Sequence, residues 1–268
     1  MSLAATVRSV LVRPDASYDR WVESHQARTT RDRWKVIGLH LLPGFFGWIS
    51  VHYLVPWLMP ATGITAPWLQ LLTLGTMALA WELAMPFVWL RRDGLSLRQS
   101  LDFLGLARFD WPGVLVVAPL VVVLFAAIAF PYLAYAYEPI RTWLDGWSVI
   151  HMPAWHIIYS GYYNFPPLPL AVVFIGNFLG EEVYFRGYLL KRLGFLGPRA
   201  WLASNALFCL YHLWQAPVNW AYLPIFFLIP FAQVMTWRKS LYVTIVIHIL
   251  VNFNVADNVV TALKGLFS

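Results

Sequence analysis

Three short groups of polar residues stand inside otherwise apolar stretches: Glu181-Glu182-x-x-x-Arg186, Phe208-x-x-x-His212 and His248-x-x-x-Asn252. A charged side chain at the centre of an apolar helix costs about 2.5–3.5 kcal/mol on insertion scales, which makes such groups functional candidates by default. On a helix, Glu182 and Arg186 are four residues apart, share a face and can pair. Glu181 is rotated by about 100° from Glu182, onto the face of Asn177 and Phe185, and is left free. Two adjacent carboxylates in a low dielectric have their proton affinities pushed apart, which suits one of them to act as a general base. His212 shares a stripe with Phe208 and Asn205, and His248 projects together with Asn252. Histidine and asparagine both donate hydrogen bonds, as an oxyanion or a bound water requires. Each group also has a plainer reading: charges snorkelling at a helix end, a packed histidine, or polar glue between helices. Jointly, a glutamate and a histidine can polarise water, while a second histidine and an amide stabilise the anion formed on a carbonyl. That apparatus suffices for peptide hydrolysis without a covalent intermediate.

The elements that position these groups are expected to be membrane helices. Hydrophobic residues make up 60% of the 268 positions and charged residues only 12%. A soluble domain needs about a quarter of its residues charged, so most of this surface faces something other than water. The 15 Trp and 13 Tyr fit a chain with many rings at the headgroup layer. Apolar spans read at about 36–59, 68–90, 111–136, 167–190, 200–216, 220–237 and 241–260, and in lipid an open chain must cross as helix. The expected fold is therefore all-α, a polytopic bundle of about seven spans around a polar cavity. Residues 139–165 are aromatic, carry His151 and His156 and are punctuated by proline; an interfacial segment is favoured there over an eighth span.

Basic residues test the segmentation independently. With the N-terminus inside, the inner segments hold Arg8, Arg13, Arg20, Arg28, Arg31, Arg33, Lys35, Arg91, Arg92, Arg98, Arg108, Lys191, Arg192, Arg199, Arg238 and Lys239. The outer ones hold Arg141 and Lys264. This asymmetry supports both the spans and the orientation. It also accounts for the net charge of +6 without a nucleic-acid partner. Residues 1–35 read as a basic cytosolic tail near anionic lipid, neither signal nor transit peptide, and 36–268 as one transmembrane domain. The single cysteine, Cys209, permits no intramolecular disulfide, and no internal repeat of the kind transporters carry is visible.

The three groups, in this order and each on an apolar span, resemble the motifs of the CPBP family, the CAAX proteases and bacteriocin-processing (Abi) enzymes that include the type II CAAX prenyl endopeptidases. The resemblance covers roughly residues 167–256, and Arg238-Lys239-Ser240-Leu241 is similar to the basic turn that opens the family's last motif. It implies an intramembrane glutamic endopeptidase in which Glu181 activates water with His212, His248 and Asn252 form the oxyanion site, and Glu182 and Arg186 support them as an ion pair. It implies no cofactor, membrane lipids as surroundings, a peptide or protein substrate with or without a lipid group, and a multi-pass protein of a bacterial inner membrane. Glu82, in the second span, has no counterpart in the motifs. Three alternatives remain open. A zinc enzyme would use two histidines and a glutamate, although no His-Glu-x-x-His helix is present and Asn252 is a poor zinc ligand. A non-catalytic immunity or scaffold protein would tolerate Glu181→Gln. A proton-coupled transporter would use buried carboxylates.

Overall fold

A computed structural model describes residues 3–149, 151, 171–172, 174–215, 218–221, 223–226 and 231–252. Among them every regular element is helical. Three helices are long and apolar enough to cross a membrane: α3 (Thr30–Thr62), α4 (Ala66–Arg92) and α6 (Gly113–Tyr135), matching the first three expected spans. Helices α1 (Leu3–Leu11) and α2 (Ala16–Glu23) precede them, and α5 (Leu97–Leu104) lies between α4 and α6. Helix α7 (Tyr137–Asp145) is a short amphipathic piece at the start of the expected interfacial segment; residues 150 and 152–165 of that segment lie outside the described set.

The later spans are described in part. The fourth is a continuous helix over 174–192, α8, of which residues 167–170 lie outside the described set. The fifth, α9 (Ala200–Tyr211), gives way at His212 to a 3₁₀ turn. In the sixth, the described residues are helical at Val218–Ala221, Leu223–Phe226 and α10 (Phe231–Arg238), and residues 222 and 227–230 lie outside the described set. Helix α11 (Leu241–Asn252) opens the seventh; residues 253–260 are outside the described set.

Local chemistry sets the helix ends. Asp15 accepts from Tyr18 N at 3.0 Å to cap α2, Thr29 accepts from Asp32 N at 3.1 Å to cap α3, and Ser96 with Gln99 forms a capping box on α5. Gly105, in the left-handed region, stops α5 and lets the turn before α11 approach: Leu241 N donates to Gly105 O at 3.1 Å. Helix α3 packs along α9 and the His212 turn, Met77–Leu83 of α4 packs on Ile175–Gly180 of α8, and α11 lies against α6, α8 and α10.

The first thirty residues fold onto one end of this bundle. Tyr18 is buried and donates to Phe103 O at 3.1 Å, and Lys191 Nζ donates to the Tyr18 hydroxyl at 2.8 Å. Arg108 stacks on the Tyr18 ring while pairing with Asp15 at 2.8 Å and Asp102 at 2.6 Å. Arg238 pairs with Asp110 through two bonds of 2.6 Å and donates to Val10 O at 2.7 Å. Several basic residues that read as topology signals are therefore engaged with protein partners.

Candidate functional site

Helix α8 brings the carboxylates together through its backbone. Its ladder widens into π turns over Ile175–Gly180 and again over Glu182–Leu189, with Glu181 between them. A wider turn rotates each residue by less than the 100° of an α-helix, and π turns recur at functional sites. The sequence placed Glu181 and Glu182 on different faces; the π geometry turns both toward α11. Glu182 Oε1 accepts from Arg186 Nη1 at 3.0 Å and from His248 Nδ1 at 3.0 Å, and His248 Nε2 stands 4.0 Å from Glu181 Oε2. With Nδ1–H given to Glu182, the ring's orientation is fixed and Nε2 is the atom turned toward Glu181.

Both carboxylates are buried, as is Arg186. The expected Glu182–Arg186 pair is present, and it is further held by aromatic faces: the guanidinium lies 3.7 Å from the Phe208 ring centroid and 4.5 Å from that of Phe231. The His248 ring is bracketed edge-on by Phe178 and Phe231.

His212 donates from Nδ1 to Phe208 O at 2.8 Å, since a carbonyl can only accept, which leaves Nε2 as the acceptor nitrogen of the neutral ring. Its ring packs on Phe208 and Tyr211, and it is close enough to His248 for the two to interact electrostatically. Glu181 itself meets Tyr211, whose hydroxyl donates to Oε1 at 3.2 Å. Nothing in the sequence singles out Tyr211; the only available signal is its place beside His212. Asn252 ends α11 one turn beyond His248, but its side chain lies outside the described set.

Glu82 also belongs to this neighbourhood. It sits in another π turn, Met77–Leu83, is fully buried, and interacts electrostatically with Glu181 across the α4–α8 contact. Two glycines allow that contact: a Cβ on Gly176 would stand 2.7 Å from Ala78 Cβ, and one on Gly180 would stand 2.9 Å from Ala78 O. This is the small-residue spacing by which membrane helices approach closely. Gly44 does the same for α3, where a Cβ would lie 2.1 Å from Tyr211 O. Among the described residues, no three His, Cys, Asp or Glu side chains converge as a metal-ligand set.

Residues 163–254 match the family model of the type II CAAX prenyl endopeptidases, Rce1-like. The matched stretch contains Glu181, Glu182, Arg186, His212, His248 and Asn252, and it excludes Glu82 and Gly44. No curated protein and no solved structure matches the chain.

Proposed function

We propose, from the match of residues 163–254 to the Rce1-like family model of CAAX prenyl endopeptidases, that this chain is an intramembrane endopeptidase in which Glu181 activates the water that attacks a peptide carbonyl. One observation carries the reading: Glu181 Oε2 is buried, has no hydrogen-bond partner among the described residues, and faces a histidine ring that Glu182 holds in place. A carboxylate whose neighbour neutralises the local arginine is itself available to accept a proton. In the proposed step Glu181 removes a proton from water as the water oxygen bonds to the carbonyl carbon. The carbonyl electrons move to oxygen, and an N–H of His248 at Nε2, together with Asn252, stabilises that oxyanion. When the C–N bond breaks, the proton on Glu181 passes to the leaving amine. His212, with Nε2 as acceptor, orients the water.

The substrate is a membrane-associated or lipid-modified peptide, as the family's prenyl endopeptidase activity suggests, and the cavity opens on the cytosolic side, where Lys191, Arg192 and Arg199 end α8 in the N-inside orientation. The test is cleavage in detergent of a peptide library with and without a C-terminal prenyl group. Wild-type protein is expected to cut a subset of it, to lose activity at acid pH, and to be insensitive to chelators. Glu181→Gln and His212→Ala are expected to be inactive. A flat rate between pH 5 and 8, or full activity in Glu181→Gln, would remove the proposal.

A further inference from the structure

Glu82 lies outside the segment that matches the family and outside the three motifs. It is completely buried, and among the described residues neither carboxylate oxygen has a hydrogen-bond partner of good geometry. An unpartnered carboxylate is among the most costly groups to bury, so its retention inside a helix calls for a role. Its surroundings identify one. The Tyr211 hydroxyl, which donates to Glu181 Oε1 at 3.2 Å, also faces Glu82, and the two carboxylates interact electrostatically. A phenol carries one proton and can give it to only one acceptor at a time. Tyr211 is thus shared between the carboxylate proposed as base and a second carboxylate supplied by α4. The positions are set by packing: Gly176 and Gly180 bring α4 against α8, and Gly44 brings α3 against the Tyr211 carbonyl.

We infer that Glu82 is a positioning residue for Glu181, acting through Tyr211: packed beside Gly180, Glu82 holds the Tyr211 hydroxyl between two carboxylates, and that hydroxyl fixes where the Glu181 oxygens point. The inference rests on the reading of Glu181 as the base. It extends the site to a helix that the motifs do not include.

Two measurements on the full chain in lipid nanodiscs test it. The first is the pH dependence of kcat/KM. Glu82→Gln, which keeps the shape but cannot carry charge, is expected to move the acid limb by at least half a pH unit and to lower kcat about tenfold with KM within twofold. Tyr211→Phe is expected to move the same limb. An unmoved limb in Glu82→Gln, with activity falling only in proportion to lost folded protein in Glu82→Leu, would reduce Glu82 to packing and overturn the inference. The second needs no turnover. Infrared carboxyl-stretch spectra of wild type, Glu82→Gln, Glu181→Gln and the double variant form a mutant cycle. The Glu181 contribution is expected to differ with and without Glu82; superimposable difference spectra would overturn the coupling. If the cycle shows coupling while Glu181→Gln still cleaves peptide, the catalytic reading fails and the Glu82–Glu181 link stands.

Discussion

Two clusters of charge, one partly exposed and one buried, are built differently in this protein. At the bundle's end, Asp15, Asp102, Asp110, Arg108, Arg238 and Lys191 are each held by an opposite charge, a hydroxyl or a carbonyl, often by two at once. Within the bundle, Glu82, Glu181 and Glu182 together leave four carboxylate oxygens without a hydrogen-bond partner, and Arg186 and His248 both bind one oxygen of Glu182. A saturated cluster tends to hold a structure together; an under-saturated one keeps acceptors ready for groups that are not part of the chain. On the proposed reading, the inner cluster is the place for chemistry, while the outer one clamps the ends of α8 and α10.

Glu182→Gln should have the largest effect, because Glu182 belongs to both kinds of order. It would leave the Arg186 charge buried without its carboxylate, a loss of about 3–5 kcal/mol, and release the His248 ring. Thermal unfolding and cleavage should both suffer; a variant that is inactive yet fully stable would break the contrast.

Asp110→Asn should cost a similar amount in stability, about 3–5 kcal/mol, but should leave the activity per folded molecule intact. Asp110 also predicts a pH slope. Burial works against its ionisation, yet the Arg238 hydrogen bonds and the Gly113 N–H outweigh it and hold the carboxyl below the usual aspartate range. The folded state therefore binds the proton less readily than the unfolded chain. The stabilisation is full above the ordinary aspartate value of about 3.9 and is lost as pH falls below it toward the folded value. Melting curves from neutral to acid pH should show that loss in wild type and a shallower one in Asp110→Asn.

Gly44→Ala sharpens the comparison from the packing side. Its methyl would meet the Tyr211 carbonyl, costing about 1–3 kcal/mol of overpacking, and kcat should fall further than stability alone explains because Tyr211 holds Glu181. The smallest effect is expected for Tyr18→Phe. It removes one hydroxyl from the outer cluster, worth about 1 kcal/mol, and a change in kcat beyond twofold would mean that the clamp reaches the inner site.

Much of this site is legible in sequence spacing. The four-residue intervals of Glu182 with Arg186 and of Phe208 with His212 appear as an ion pair and a ring contact. The first three spans emerge because their apolar runs exceed twenty residues without a break. Other features are not readable by the same rules. A spacing argument assumes 3.6 residues per turn, so the π turns around Glu181 defeat it and both glutamates reach His248. The role of Glu82 depends on which helix packs beside it, and that choice lies in Gly176, Gly180 and Ala78. The basic residues of the first 35 positions resemble a solvated tail in composition, yet Tyr18 and Asp15 seat that segment on α5 and α8.

Stability and cleavage of Glu181→Gln, measured on the same purified sample, test the central claim most directly. Because Glu181 Oε2 has no hydrogen bond among the described residues and glutamine keeps the Oε1 acceptor for Tyr211, the melting temperature should stay within a few degrees of wild type while kcat/KM falls by about 10²–10⁴-fold, the range for a lost general base. A variant that unfolds, or one that remains folded and cleaves within threefold of wild type, would contradict the account.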